Sequence, residues 1–464
     1  MSVHTLFWFD VEDYITPSSD EAFKGLLEIF EAQQVQATWK LVGEKARVLK
    51  QRGRGDIIAL AQRQDIGYHT DFHSLHPVLA EYLETMGWED GIAELLRRES
   101  PGYQDLKRIC GPASTFGQAG GSWAPHIYPA MRQWDIPLFM DEAGHVGLDE
   151  GPFWYCGVLH INRLGPNFTR MEFSRGENGL AKGCADFDTL HTRLGRKGGL
   201  ASIYYHPCEF STTEFWDGAN FRHGANPPPD QWRPAQERSS EEMRQGLDLF
   251  ARYLAHVKNR PGVDIISGRQ VINLLPDRTQ TRPISPAELL AALAFADDQI
   301  SYAQVDGGFL APAELFDLTT ALLAGIAQPL PRTTPYGPTQ RRASTLPVGA
   351  KISAQDLLQA CHDAQAFIAT HQRLPNSIWL GVEELSPADF FLACVELVKS
   401  SNLKNTDITT AGPISLRPGT LALEHHIHAD SWGWVIFPPG FQGHNLIELG
   451  RLQAWTLKPA TLVD

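Results

Sequence analysis

The 464-residue sequence has no surplus of basic residues, no long apolar run and no cysteine pair at metal-binding spacing. It contains 40 Lys and Arg against 54 Asp and Glu, which gives a formal net charge of −14. Because binding to nucleic acids and anionic lipid surfaces depends on Lys and Arg, this balance argues against both kinds of partner. No stretch approaches 18 uncharged apolar residues, so no transmembrane helix is expected.

The six cysteines are too sparse for the disulfide scaffold of a small secreted protein, and none forms the Cys-x-x-Cys pair of zinc and redox sites. The first residues, MSVHTLFWFDVEDY, lack a basic segment. Asp10 interrupts their apolar run before it is long enough for a signal peptide. With Met1 taken as the native start, we expect a cytoplasmic protein.

Strand-like and helix-like segments alternate through the first 270 residues. Short apolar runs such as HTLFWF, ATWKLVG and WYCGVLHIN predict buried strands, and the amphipathic runs between such strands predict helices. This alternation indicates an α/β protein with a parallel sheet, either a barrel or a doubly wound sheet. In both architectures the chemistry lies at the carboxyl ends of the strands.

The composition changes near residue 275, where PDRTQTRPISP predicts a linker. Beyond it, similar helix starts recur as SPAELL, APAELF, SAQDLL and SPADFF. Each has a small capping residue, an acid in the first turn and then apolar residues, which is typical of helix N-termini. We therefore predict two domains, one over residues 1–275 and a mainly helical domain of unassigned role over residues 283–464.

Three acids, Asp10, Glu12 and Asp13, lie together where the first predicted strand ends, in FWFDVEDY. Burying like charges this close is costly unless a cation or a catalytic role compensates. His69 and His73 follow the third predicted strand, in DIGYHTDFH, and their spacing of four lets both imidazoles face the same way. Two histidines and one carboxylate suit zinc or another first-row divalent metal, with positions left open for water and substrate.

His206 ends a later predicted strand, in GLASIYYHP. Together the three strand ends supply a base, a metal site and an acid. Such a set predicts hydrolysis, in which the metal makes water ionise near neutral pH and a carboxylate takes the proton. A histidine then protonates the leaving amine.

The motifs FDVEDY, HTDFH and YYHP, in this order over about 270 residues, resemble the polysaccharide deacetylase family, also called the NodB-homology or carbohydrate esterase family 4 domain. The resemblance implies a metal-dependent deacetylase with a distorted (β/α) barrel of about seven strands. It also implies roles for the residues singled out above: general base Asp10, metal ligands His69 and His73 with either Glu12 or Asp13, and general acid His206. Of the two carboxylates we expect Asp13, and we expect zinc as the metal.

The sequence departs from the family pattern at the arginine that steadies the general base. The segment FGQAGGSWAP stands where this arginine is expected and has Trp123, Ala124 and Pro125 instead. We expect Trp123 and Pro125 to contact the substrate.

The expected substrate is an N-acetyl group on a sugar or glycan. A cytoplasmic amidohydrolase acting on a small non-sugar amide remains an alternative, which the missing arginine and missing signal peptide favour. A catalytically inactive glycan-binding protein is the other alternative. In each case the predicted partner is a carbohydrate or small amide, with neither nucleic acid nor membrane involved.

Overall fold

The structure is a computed structural model. It describes residues 2–462 except 142–143, 150, 162–163, 281, 295–297, 327–329, 331–332 and 401–411. The strands are β1 Val3–Val11, β2 Thr38–Leu41, β3 Asp65–Tyr68, β4 Thr115–Phe116, β5 Leu138–Met140, β6 Phe153–Tyr155, β7 Val158–Ile161, β8 Gly199–Tyr205, β9 Val263–Ile266, β10 Gln299–Ile300, β11 Ala303–Val305, β12 Gly308–Leu310, β13 Lys351–Ile352, β14 Ile378–Leu380, β15 Glu383–Leu385, β16 Ile414–Ser415, β17 Thr420–Leu421 and β18 Lys458–Pro459. The helices are α1 Ser18–Gln33, α2 Gly43–Gln51, α3 Gly55–Ala61, α4 Leu79–Leu83, α5 Trp88–Ile109, α6 Ile127–Gln133, α7 Gly176–Leu194, α8 Cys208–Ser211, α9 Ser240–Lys258, α10 Gly268–Leu274, α11 Pro286–Ala292, α12 Pro312–Leu323, α13 Ala354–His371, α14 Pro387–Ser400 and α15 His444–Gln453.

A curled sheet of ten strands organises the first part of the chain. Its order is β18-β6-β7-β5-β4-β3-β2-β1-β8, and β9 pairs with β1 as well. The strands from β1 to β5 and β7 to β9 pair in parallel, whereas β6 and β18 are antiparallel to their neighbours. With helices between the strands, this is the distorted (β/α) barrel predicted from the sequence, with eight parallel strands where about seven were expected.

The central strand β1 is buried on both faces, as its almost continuous apolar sequence requires. Its aromatic rings stack on neighbouring strands: Phe9 on Trp39 with ring centroids 4.1 Å apart, and Trp8 on Tyr204 with centroids 4.0 Å apart. The same register sets Asp10 opposite a residue of β2 at the carboxyl end of the sheet. Aromatic packing along β1 therefore fixes where its acidic end lies.

The segment WYCGVLHIN is a hairpin, not the single strand expected from its apolar run. Strands β6 and β7 pair antiparallel on either side of a turn at Cys156 and Gly157. Both turn residues have a positive φ, +51° for Cys156 and +75° for Gly157. The glycine adopts this conformation without a steric penalty, which allows the chain to reverse within two residues.

The predicted helix starts of the second part are confirmed as α11, α12, α13 and α14. The Ser285 hydroxyl accepts a hydrogen bond from the Glu288 N–H, and Ser353 does the same for Asp356. A β-hairpin precedes α12 and another precedes α14, so a hairpin-and-helix unit occurs twice. Helix α12 is buried on all sides and forms the centre of this helical part.

The C-terminal residues return to the barrel. Strand β18 pairs antiparallel with β6, and Tyr155 donates a hydrogen bond to the Gly450 carbonyl (2.8 Å). The buried Lys458 ammonium lies 2.7 Å from Asp277 and 3.0 Å from Glu314. The end of the chain therefore completes the sheet that its beginning starts. None of the helices in the described part of the chain has the length and apolar character needed to cross a bilayer.

Candidate metal centre and catalytic site

The carboxyl ends of β1 and β3 bring Glu12, His69 and His73 together. One Glu12 carboxylate oxygen, Oε2, lies 3.3 Å from His69 Nε2 and 2.8 Å from His73 Nε2. All three side chains are buried, and one ligand atom from each lies within 4.8 Å of the others. Within the described residues this is the one group of three or more such ligands found at this spacing.

The chemistry of this group fits a divalent metal ion. The His73 Nε2 atom is buried without a hydrogen bond of acceptable geometry, although the Glu12 oxygen is close. Two imidazole nitrogens and a carboxylate oxygen that converge on one point form the ligand set that zinc and similar metals take. The pKa of Glu12 stays well below its usual range because nearby histidines outweigh the effect of burial, which alone would raise it. The carboxylate is therefore in its ligating form.

Neighbouring groups hold each of the three side chains in position. His69 Nδ1 lies 2.9 Å from the Gly117 carbonyl, which can only accept, so Nδ1 carries the proton and Nε2 is left to ligate. His73 Nδ1 lies 2.6 Å from the Ser74 hydroxyl. The Trp216 indole donates to the other Glu12 oxygen, Oε1, at 2.8 Å. Such outer contacts orient ligands before a metal binds.

The two histidines face the same way, as their spacing predicted, but they do so on a strained loop. Residues 69–73 are outside any helix, and Thr70 and His73 have positive φ angles of +62° and +59°. The Thr70 hydroxyl accepts a hydrogen bond from the His73 N–H (3.2 Å). Non-glycine residues held at positive φ cost free energy and concentrate at functional sites.

The structure brings Glu12, and not Asp13, into the group with both histidines, which is contrary to our preference for Asp13. Asp13 Oδ1 accepts hydrogen bonds from the N–H groups of Ile15 (3.0 Å) and Thr16 (2.8 Å). Burial raises the pKa of Asp13 even though the Lys45 charge opposes it. The reason is strand geometry, because residues two apart share one face and consecutive residues do not. Glu12 follows Asp10 by two and turns to the same side, whereas Asp13 turns away and fixes the loop before α1.

Asp10 lies beside the metal-ligand group and has two buried partners. Its Oδ1 is 2.8 Å from the Lys40 ammonium, and its Oδ2 is 3.7 Å from His69 Nε2. The Tyr204 hydroxyl donates to Oδ2 at 2.7 Å. Burial alone would raise the pKa of Asp10, but His69 and Lys40 hold the pKa below its usual range. Asp10 is thus a carboxylate that can accept a proton.

His206, at the end of β8, lies between a hydroxyl and a carboxylate. Its Nε2 is 2.6 Å from the Tyr204 oxygen, and its Nδ1 is 2.8 Å from Glu209 Oε1. Burial alone would lower the pKa of His206, but the carboxylates of Glu12 and Glu209 outweigh burial and raise the pKa above its usual range. Arg170 in turn holds Glu209 in place with a charged hydrogen bond (2.5 Å).

With Asp10 ionised, the hydrogen bonds of Tyr204 also indicate the protonation state of His206. A hydroxyl has one proton, and the ionised Asp10 can only accept, so Tyr204 gives its proton to Asp10. The His206 Nε2 contact then requires a proton on Nε2, and the Glu209 contact requires one on Nδ1. His206 is therefore an imidazolium, and one tyrosine connects a proton acceptor with a proton donor.

These side chains open onto a cavity of about 320 Å³. Its wall includes Asp141, Phe215, Arg222 and, from far along the chain, Trp434. Trp123 and Pro125, which we expected to contact substrate, are core residues and do not line this cavity. The Trp123 ring is 1% exposed, and its indole N–H donates to Tyr128 (3.0 Å).

Sequence reasoning missed Lys40, Tyr204, Glu209 and Trp434. Lys40 left a signal, because a charged residue inside the apolar run TWKL has to find a partner once the strand is buried. Tyr204 left a weaker signal, since it precedes His206 by two residues and therefore lies on the same face of the strand. Trp434 left no signal of this kind, because its position depends on long-range packing.

The fold and the site together define a distorted (β/α) barrel with a buried Glu/His/His group, a carboxylate and an imidazolium at the carboxyl ends of its parallel strands. No protein-family model matches the sequence, and no curated protein matches it either.

Three solved structures to which this chain is similar are a carbohydrate esterase 4 domain, a deacetylase and an allantoinase. The carbohydrate esterase 4 domain of a multidomain xylanase from the hindgut metagenome of Trinervitermes trinervoides is 13% identical, with 59% of this chain and 91% of that chain covered and a TM-score of 0.31. A peptidoglycan N-acetylglucosamine deacetylase is 14% identical, with 57% and 85% covered and a TM-score of 0.30. An allantoinase is 14% identical, with 58% and 90% covered and a TM-score of 0.39. The family that the sequence motifs resemble is therefore also represented among the solved structures to which this chain is similar.

Proposed function

We propose that the chain is a metal-dependent hydrolase that cleaves an amide bond and removes an acyl group, with an N-acetyl group on a sugar as the first substrate to test. One observation carries the proposal. In a single cavity, Glu12, His69 and His73 converge beside an ionised Asp10 and a protonated His206. This combination suits amide hydrolysis, because water must lose a proton and the leaving amine must gain one.

Glu12, His69 and His73 are the residues that would hold the metal, and zinc is the metal we propose for this ligand set. When bound, a divalent metal of this kind supplies Lewis acidity, which polarises the acyl carbonyl and makes water a stronger acid. His69 Nδ1 and Glu12 Oε1 are fixed by hydrogen bonds to other groups. His69 Nε2 and Glu12 Oε2 are therefore the atoms that would bind the metal.

Asp10 is the proposed general base. Its lowered pKa keeps it ionised at neutral pH, and its position 3.7 Å from His69 Nε2 sets it beside the ligand group. Lys40 and Tyr204 fix the two carboxylate oxygens and so orient the base. They are positioning residues, because each acts through Asp10.

His206 is the proposed general acid. His206 lines the cavity, and its imidazolium holds a proton on Nε2, the atom that contacts the Tyr204 hydroxyl. Glu209 stabilises the charge while the proton is held, so the acid is available when the amide nitrogen leaves.

Purified full-length protein should be dialysed, reloaded with zinc and assayed for acetate release from N-acetylated sugars. About one metal ion per chain and acetate release that depends on added metal are the expected results. Stoichiometric metal binding without turnover on a broad panel of acetyl amides would favour the inactive glycan-binding alternative.

A further inference from the structure

A segment far along the chain forms part of the cavity wall beside the catalytic residues. Residues 431–438, named here the C-terminal arm, bring Trp434 and Val435 to the cavity. The Trp434 ring meets the His73 ring edge-on, with centroids 5.5 Å apart and planes at 89°. The arm therefore lies directly against a side chain of the ligand group.

Backbone hydrogen bonds fix the arm to one loop of the barrel. The His223 N–H donates to the Val435 carbonyl, and the Gly224 N–H donates to the Ile436 carbonyl, each at 2.9 Å. The Ile436 side chain is completely buried, and Phe437 beside it is 4% exposed. These contacts anchor the arm at Val435 and at the two residues that follow it.

On the other side the arm packs against the loop that follows β4. Gly120 has a φ of +49°, and a Cβ atom at this residue would lie 2.3 Å from the Trp434 indole. Only a residue without a side chain allows this approach. At Gly121, a Cβ atom would lie 3.1 Å from the Ser431 carbonyl oxygen. The arm thus bridges the loop at 120–121 and the loop at 223–224 across the carboxyl ends of the strands.

A polymer substrate needs a groove that continues past the reacting group so that the chain can lie along the surface. Here the C-terminal arm crosses the carboxyl ends of the strands, where such a groove would have to continue. The cavity has a volume of about 320 Å³, which is at the small end of the range of about 300–1,000 Å³ for small-molecule sites. We infer that the substrate is a small, discrete amide that enters the cavity whole, and that the C-terminal arm excludes polymer chains. This inference rests on the proposed function and narrows its substrate class to monomeric compounds.

The test compares a small and a polymeric metal-binding probe on the full-length protein loaded with Co²⁺, whose visible spectrum reports binding. The small probe is acetohydroxamic acid, and the polymeric probe is dextran with hydroxamate groups attached without a spacer. The variants are Trp434→Ala and the milder Trp434→Leu. The matched control is Trp379→Ala, because Trp379 lies in β14, is 58% exposed and does not line the cavity.

In the wild type and in Trp379→Ala, the dextran probe should bind at least about tenfold more weakly than acetohydroxamic acid, because the arm blocks the dextran chain. The Trp434 variants should reduce this difference while still binding the small probe. Equal affinity for both probes in the wild type would overturn the inference. This comparison tests the inference even if the variants do not fold. Metal binding without any binding of acetohydroxamic acid would overturn it as well. Failure to bind Co²⁺ at all would instead show that the proposed function is wrong.

Discussion

Lys40 Nζ lies 2.8 Å from Asp10 Oδ1, and both side chains are almost completely buried. The two residues face each other across the parallel strands β2 and β1. A buried ion pair is tolerated when its remaining hydrogen-bonding capacity is used. Here Lys40 also donates to the Met140 carbonyl (2.6 Å), and Asp10 also accepts from Tyr204. The base proposed for this site therefore has a fixed cationic partner, although the sequence offers no arginine in the expected segment.

Replacing Lys40 with Met should lower kcat/KM about 100-fold, the scale of a general-base contribution. The Lys40 charge helps to hold the pKa of Asp10 down. Without it the pKa of Asp10 rises, so the acidic limb of the kcat/KM–pH profile should move to higher pH. Lys40→Arg keeps the charge and should shift the limb less. An acidic limb that stays in place in Lys40→Met would mean that Lys40 does not act through Asp10.

The choice between Glu12 and Asp13 as ligand is testable with two acid-to-amide variants. Glu12→Gln should lose the metal, because it removes the charge on the oxygen that faces both imidazoles. Asp13→Asn should keep about one metal per chain, because the Asp13 side chain accepts hydrogen bonds from the backbone that follows it and is not in the ligand group. Elemental analysis after dialysis measures both. Metal loss in Asp13→Asn with retention in Glu12→Gln would restore the original preference.

Asp10→Asn should reduce turnover about 100-fold or more, the scale expected on loss of a general base, and should leave the metal content unchanged. The amide cannot take a proton but keeps the size and shape of the side chain. Turnover and elemental analysis on the same preparation separate the roles. If metal and activity disappear together, Asp10 is a ligand and its role as base has to be withdrawn.

His206→Ala should lower turnover strongly on amides and much less on activated aryl esters. An amine has to be protonated as it leaves, whereas an aryl oxide leaves as an anion. Parallel kinetics on an acetyl amide and an acetyl aryl ester give the contrast. A purely structural histidine would affect both substrates equally and lower the melting temperature. That result would leave the site without an identified general acid.

Glu209→Gln should move the basic limb of the kcat/KM–pH profile to lower pH. Glu209 helps to raise the pKa of His206. Without its charge the imidazolium loses its proton at a lower pH, and activity that needs the acid is lost earlier as pH rises. Glu172→Gln is the matched control, because Glu172 also pairs with Arg170 (3.0 Å) but is largely exposed and does not touch His206. A shift of equal size in both variants would assign the effect to Arg170 instead.

The local sequence was enough to predict much of the barrel and part of the site. Apolar runs gave the positions of β1, β2, β3 and β8, because parallel strands are buried on both faces. The carboxyl ends of such strands meet at one edge of the sheet, so Asp10, His69, His73 and His206 could be expected to lie together. Glu12 was within reach of the same reasoning, because strand alternation puts it on the face of Asp10.

Only the tertiary structure decided which groups complete the site. Lys40 pairs with Asp10 through the register of two strands, and the register depends on how the whole sheet packs. The strained loop at Thr70 and His73 is held by surrounding contacts that the spacing of the histidines does not encode. Trp434 reaches the cavity more than 350 residues after its ring partner His73. Local propensity and periodicity describe neighbours along the chain, whereas a cavity wall built from distant segments results from packing that no short pattern specifies.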